Sequence, residues 1–331
     1  MAKLKVLLLG GGSFLGKNML LNLVESEEFE LSVLNRGKTQ TEIHDSVNYI
    51  KADRDFPCAA LSQVHYDIVL DFSCYFPQQL RNVLQNLGQA PSHYIFISTC
   101  SVYDNENVTS INRNESCLTL TCSKEEERNT DVSTYGQRKA ECERILIQSG
   151  IPHTIYRPAL VFGAFDPTDR LYYWLHQIKT QKELLLPDSG ERIFSLTYVH
   201  DVVSSIRKSI QTEASNTTYN MVSYENMSVL ELITVAEKTL DLSPTHISIS
   251  PDLLSRCGVN QWTDMPLWLN TDIFTFTNEA LRTEFDFKST PFQEALNDTI
   301  AYYENLNWPS PVYGMPETKR QDLINQVKSL C

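Results

Sequence analysis

The 331-residue chain is 42% hydrophobic and 21% charged, which excludes a disordered or fibrous class and allows one large domain or two unequal ones. A net charge of −13 repels phosphate backbones and anionic membranes, so nucleic acid is a disfavoured partner and no membrane is expected. The eight cysteines form no Cys-x-x-Cys pair and no Cys/His group at zinc spacing, and read as reduced thiols in a cytoplasmic protein without a metal site.

Residues 3–16 run from an apolar stretch too short for a membrane span straight into glycines, as a buried first strand does when it turns into a helix. The stretch carries no cleavage site, which fits an unexported chain. Consecutive glycines cost backbone entropy; their use is to let main-chain N–H groups approach something bulky and negative, such as a nucleotide diphosphate at a helix N-terminus. The usual Gly-x-Gly-x-x-Gly fingerprint fails, because from Gly10 and Gly12 its third glycine falls on Leu15. Gly-x-x-Gly-x-x-Gly fits at Gly10 and Gly16, with Ser13 in the middle place and the main chain of Ser13, Phe14 and Leu15 still on offer. The apolar face Met19, Leu20 and Leu23 that follows predicts the first βαβ unit of a doubly wound parallel sheet.

A second predicted strand, 29–35, ends in Asn35-Arg36-Gly37-Lys38, where a NAD-binding protein usually places an acidic residue on the adenosine ribose. None stands there. Arg36 and Lys38, beside Asn35, offer charge and a planar fork suited to a 2′-phosphate, so NADP(H) is favoured over NAD(H), unless these are basic residues of a solvated turn. A third strand, 47–51, leads into Asp53 and Arg54; Asp53 either accepts from an adenine amino group or sits in a surface turn. Residues 66–72 read as a strand buried on both faces, whose carboxyl end, Phe72 and Ser73, should lie beside the glycine turn. A helix bearing Leu80, Val83, Leu84 and Leu87 follows.

The fifth strand, 94–98, delivers Thr99 to the same edge. From 104 to 130 the chain is polar, and a loop of that length reads as a lid or a disordered segment. It leads into a helix on which Tyr135 and Lys139 stand one turn apart and face the same way. An ammonium beside a phenol favours phenolate, bringing a pKa near ~10 closer to neutrality so that the tyrosine can pass a proton. Thr99, from the neighbouring strand end, can orient the reacting oxygen.

The stretches 10–16 (Gly-Gly-Gly-Ser-Phe-Leu-Gly), 97–103 (Ile-Ser-Thr-Cys-Ser-Val-Tyr), 135–139 (Tyr-Gly-Gln-Arg-Lys) and 156–163 (Tyr-Arg-Pro-Ala-Leu-Val-Phe-Gly) together resemble the extended short-chain dehydrogenase/reductase superfamily, the NAD-dependent epimerase/dehydratase group. The glycine turn followed by 34–37 (Leu-Asn-Arg-Gly) is similar to an atypical branch that includes the chloroplast stem-loop-binding proteins. Residues 166–174 and 262–268 resemble reductase-like bacterial members of that branch.

The resemblance implies a Rossmann-type α/β fold, with a nucleotide-binding part over 1–163. A smaller, discontinuous substrate side takes most of 164–331, interwoven with a return segment near 195–220. It implies a triad of Thr99, Tyr135 and Lys139, with Lys139 also on the nicotinamide ribose. Ser13 to Leu15 would meet the diphosphate, Phe72 and Ser73 the adenosine side, and the backbone after Pro158 the nicotinamide. The extra acid and base of the dehydratases are missing, because Cys100-Ser101 follow the threonine; Cys100 reads as packing in the strand end. Phe194 stands where sugar-nucleotide enzymes carry an arginine on the diphosphate, with Arg192 displaced. The resemblance also allows a homodimer through the helix carrying Tyr135.

Residues 151–156 read as a sixth strand. Asp166 reads as an N-cap with Pro167 at the first helical position, leaving Arg170 able to reach a substrate. Asp201 reads as capping another helix. Amphipathic helices are expected over 228–240 and 291–303, and a polar, loosely docked one over 318–330. Trp262, Pro266, Leu267 and Trp268 read as core or as the wall of an apolar pocket. The chemistry expected is hydride transfer between nicotinamide and a carbonyl or alcohol carbon of a small-molecule substrate. Epimerisation through a keto intermediate is the nearest alternative, and a non-catalytic NADP sensor or RNA-binding protein the more distant one.

Overall fold

The computed structural model describes residues 3–37, 44–105, 108, 110–269 and 273–330. The first six strands are β1 (Leu4–Leu9), β2 (Phe29–Asn35), β3 (Val47–Lys51), β4 (Ile68–Asp71), β5 (His93–Ile97) and β6 (His153–Pro158). After β7 (Leu160–Phe162), β8 (Glu183–Pro187) and β9 (Ile193–Tyr198), the chain returns with β10 (Thr217–Met221) to complete a seven-stranded sheet in the order β10-β6-β5-β4-β1-β2-β3. All its pairings are parallel. A central parallel strand is covered on both faces, which is why Val6 to Leu9 are uninterruptedly apolar and fully buried.

Helices α1 (Phe14–Val24), α2 (Pro77–Asn86), α3 (Tyr135–Gln148), α4 (Arg170–Thr180) and α5 (Val199–Ile210) follow in chain order. Met19, Leu20 and Leu23 of α1 join Val202, Val203 and Ile206 of α5 in one core. Leu80 and Val83 of α2 join Cys142 and Leu146 of α3 in another, around Leu7, Leu9, Tyr94 and Phe96. Because β1 sits between β2 and β4, strand addition reverses direction there, and the crevice at the carboxyl ends is the place where such sheets bind ligands.

The second half adds β11 (Tyr224–Ser228), α6 (Val229–Leu240), β12 (Thr245–Ile249), α7 (Pro251–Arg256), β13 (Ile273–Phe274), α8 (Glu279–Phe285), α9 (Phe292–Asn305) and α10 (Glu317–Leu330). Strand β9 pairs with β7, β11 and β13, and β8 pairs with β12. Helix α6 is capped by Ser228, whose hydroxyl accepts from the Glu231 amide at 3.1 Å while the Glu231 carboxylate accepts from the Ser228 amide at 2.9 Å.

Four expectations need correction. The helix expected from Pro167 begins at Arg170, after Asp169 in the left-handed region; the Asp166 carboxylate is taken by the Thr168 amide at 2.9 Å and hydroxyl at 2.6 Å. Asp201 lies inside the first turn of α5 and caps nothing; it accepts from Ser223 and Thr290 hydroxyls, both at 2.6 Å, tying three segments together. Helix α10 is firmly docked: Leu323 and Ile324 are buried, and Arg320 reaches the Glu183 carbonyl at 2.9 Å and the Gln181 amide oxygen at 2.6 Å. The polar stretch 104–130 is ordered, not disordered, over its described residues. Thr119 bridges to Tyr103, Arg113 bridges to Phe276, and the Leu120 amide donates to the Val102 carbonyl at 2.7 Å. Among the described residues no helix is long and apolar enough to cross a membrane, and no group of three or more metal-ligating side chains occurs.

Candidate active site

The turn from β1 to α1 opens a cavity of about 460 Å³ whose lining includes Gly10, Ser13, Phe14, Leu15, Gly16, Asn35, Arg36, Asp53, Arg54, Phe72, Ser73, Tyr75 and Pro167. Its glycines are sterically required. Gly10 has φ +96°, and a Cβ there would lie 2.6 Å from the Ser73 Cβ; a Cβ on Gly16 would lie 2.0 Å from the Gly10 carbonyl oxygen. The helix thus packs directly on the strand it follows. Ser13 makes no side-chain cap, and the first-turn amides of Phe14, Leu15 and Gly16 have no intrahelical acceptors, the arrangement that receives an anion. A dinucleotide's diphosphate fits this cradle.

Arg36 is exposed at the cavity mouth, and the Asn35 side chain is turned into its own loop, accepting from the Gly37 amide at 3.0 Å. Lys38 lies outside the described residues. Asp53 lines the cavity while its carboxylate accepts from the Asp55 amide at 3.1 Å. Arg54 is not offered to a ligand: its guanidinium grips buried Asp71 through two bonds of 2.6 and 2.7 Å, with Tyr94 donating to the same carboxylate at 2.7 Å. Burial alone would raise the Asp71 carboxyl, but Arg54 and Tyr94 hold it below its ordinary value. Pro158 does not line the cavity. It is buried at the end of β6 opposite Met221, and the next amide, Ala159, already donates to the Thr197 hydroxyl at 3.1 Å.

Thr99, Tyr135 and Lys139 are not among the residues lining this cavity; Tyr135 stands behind one that is. Tyr75, that lining residue, has its ring centroid 6.4 Å from that of Tyr135. The Thr99 hydroxyl accepts from the Ser101 amide at 3.1 Å, which fixes it at the end of β5. Lys139 is buried beneath, its ammonium donating to the carbonyls of Cys74 at 2.9 Å and Ile97 at 2.6 Å and lying 4.1 Å above the Phe96 ring. The expected lowering of the phenol pKa is not what the protein shows. Burial pushes Tyr135 up to about 12, against the opposing effects of the Thr99 hydroxyl and the Arg170 charge. Cys100 packs in the strand end, its thiol 3.1 Å from the Arg157 carbonyl.

Three positioning residues escape a reading of motifs. A Cβ on Gly136 would sit 2.2 Å from the Ser101 carbonyl, so this glycine lets the start of α3 pack directly on the turn that follows Thr99. Buried Asn18 donates to the carbonyls of Phe14 and Ala164, both at 3.0 Å, joining α1 to the segment before α4. Gln79 accepts from the Tyr75 amide at 2.9 Å and donates to Asp55 at 2.7 Å, holding two cavity walls together. Only the glycine, adjacent to the tyrosine of the motif, left a signal in the sequence.

Strand order, glycine cradle and the Tyr-x-x-x-Lys helix at the open edge define a Rossmann-type protein of the short-chain dehydrogenase/reductase class. The chain belongs to the NAD dependent epimerase/dehydratase family, whose model matches residues 6–221. It is 23% identical over 234 residues to the chloroplast stem-loop binding protein of 41 kDa b from Arabidopsis thaliana, a match covering 66% of this chain and 58% of that protein. The chain thus spans well under two thirds of that curated relative. Among solved structures it is similar to the dTDP-glucose 4,6-dehydratase of Bacillus anthracis in complex with NAD, at TM-score 0.70 and 15% identity, covering 92% of this chain and 98% of that one. It is equally similar to the UDP-glucuronic acid 4-epimerase of Bacillus cereus in complex with NAD, at TM-score 0.70 and 17% identity, covering 92% and 100%. At these identities the likeness is one of fold.

Proposed function

We propose that the protein is a nicotinamide-dependent oxidoreductase acting on a carbonyl or alcohol carbon of a small molecule, with NADP(H) favoured over NAD(H). The observation that carries this reading is a glycine-cradled cavity one of whose lining residues, Tyr75, has Tyr135 behind it, with Lys139 bonded to the carbonyl of the neighbouring Cys74. Main-chain amides at Phe14, Leu15 and Gly16 would hold the diphosphate, and exposed Arg36 would meet a 2′-phosphate. Bound there, the dinucleotide supplies a hydride donor or acceptor. Tyr135 exchanges a proton at its hydroxyl with the substrate oxygen, Thr99 orients that oxygen, and Lys139 fixes the strand ends that carry both the cavity wall and Thr99. NAD in the solved relatives supports the cofactor class. The name of the plant relative raises nucleic acid as a ligand, which the net charge of −13 disfavours.

Titration with NADPH and NADH tests the cofactor. NADPH is expected to bind more tightly, and Arg36→Ala to weaken NADPH about 10-fold while leaving NADH unchanged. Tyr135→Phe is expected to lower turnover about 100- to 10,000-fold with NADPH affinity held. Net consumption of reduced cofactor marks a reductase; inversion at carbon without net consumption marks an epimerase. Failure of both dinucleotides to bind overturns the reading.

A further inference from the structure

Arg170 is a motif residue that no hydrogen bond or ion pair among the described residues accounts for. Other sheltered arginines are spent: Arg54 on Asp71, Arg157 on Glu143, Arg320 on Glu317, and Arg113 on the Asp104 carbonyl and the Asn105 side chain. Among the described residues Arg170 has no hydrogen-bond acceptor and no carboxylate at ion-pair distance, although its Nε is buried. It stands as the first residue of α4, where the helix's positive end opposes a cation and no acidic residue of the first turn compensates. A buried guanidinium nitrogen without an acceptor is a cost that no local hydrogen bond offsets.

Its position is nevertheless fixed. The guanidinium lies 5.0 Å from the centre of the Trp262 ring, and Trp262 is held at φ +67°, a conformation that costs a non-glycine residue about 1–3 kcal/mol. The loop bearing it is pinned from outside, with the Gly314 amide donating to the Thr263 carbonyl at 2.7 Å and the Met315 amide to the Asp264 carbonyl at 2.8 Å. The charge on Arg170 is felt at the Tyr135 phenol. Meanwhile Phe194 is fully buried and Arg192 pairs with Asp188 at 3.1 Å, so neither offers a remote cation for a sugar-nucleotide diphosphate.

We propose that Arg170, laid flat on Trp262, binds an oxyanion of the substrate close to its reacting carbon, so that the substrate is a small carboxylate- or phosphate-bearing carbonyl or alcohol. This rests on the oxidoreductase reading and narrows its substrate. The planar fork takes either oxyanion through two parallel bonds, while the indole face keeps water off one side and sets the plane. The bonds Arg170 lacks are supplied by the ligand.

Isothermal titration of the full chain with malonate and with inorganic phosphate, each with and without NADP+, tests the assignment. Saturable binding is expected in the wild-type protein, weakened at least about 10-fold in Arg170→Met and partly kept in Arg170→Lys. Trp262→Leu is expected to weaken the same probe without removing it. Tighter malonate assigns a carboxylate, tighter phosphate a phosphate ester. Phosphate held instead by the glycine turn is displaced by NADP+ and indifferent to Arg170→Met. Equal binding to wild type and Arg170→Met, with both shown folded by circular dichroism, overturns the proposal, as does failure of the wild-type protein to bind either probe. Failure of both NADP+ and NAD+ to bind, with Arg170-dependent malonate binding intact, overturns the oxidoreductase reading instead.

Discussion

At the proposed nucleotide end of the site the recognising groups would be main-chain amides of the Gly10 turn, set by where the glycines stand; at the proposed reacting end they would be side chains from the turn after β5 and from α3 and α4. The first end fails when volume is added, since a Cβ on Gly16 would lie 2.0 Å from the Gly10 carbonyl. The second is built to fail when a partner is taken away. Between them lies the Arg54, Asp71 and Tyr94 cluster, with Lys139 bonded to the carbonyls of Cys74 and Ile97 just above it.

That cluster is where the contrast breaks most severely. Arg54→Met leaves the fully buried Asp71 carboxylate facing an apolar chain, and is expected to destabilise the protein by about 3–5 kcal/mol in urea unfolding. The Arg54→Met, Asp71→Leu double variant should recover much of that loss, because no buried charge remains. Gly136→Ala tests whether the reacting end obeys the volume rule as well. Alanine normally favours a helix, yet here the added methyl meets the Ser101 carbonyl at 2.2 Å. Turnover is expected to fall about 100-fold as Tyr135 shifts away from Thr99, with cofactor affinity much less affected.

The smallest effect concerns Asp166, whose carboxyl burial pushes up to about 6. The folded pKa lies above the unfolded one, so the stability this group contributes is present below about pH 4 and lost as pH rises through about 6. Asp166→Asn keeps an oxygen for Thr168 and removes the titration. It is expected to be more stable than the wild-type protein by roughly 2 kcal/mol at pH 7 and about equal at pH 4, read from thermal or urea unfolding at both values.

Much of the frame was legible because it repeats a local rule. The strands 29–35 and 47–51 are where alternation and turn residues put them, and Val6 to Leu9 of β1 are apolar because the strand is covered on both faces there. The illegible parts depend on partners distant in sequence. Asp166 followed by proline obeys every local rule for a cap, yet Asp169 is claimed by the Tyr303 hydroxyl at 2.7 Å and the Val312 amide at 3.0 Å, and the helix starts after it. The direction of the Tyr135 shift turns on the burial of its ring, which spacing along a helix does not report. Spacing puts an ammonium on its face of the helix, and only the folded protein shows that ammonium turned to two carbonyls.

The segment stapled by Arg113 carries one more consequence, for how the chain is made. Tyr103 stacks on Phe276 at 5.4 Å, the Arg113 guanidinium lies 4.5 Å from the same ring, and the Thr277 amide closes on the Arg113 carbonyl at 3.1 Å. A ribosome that has synthesised all seven strands of the large sheet has still not produced these partners. Until residues 276 and 277 emerge, the Arg113 corner of the stretch lacks these fastenings and stays open to proteases, while Leu120 is already tied to Val102.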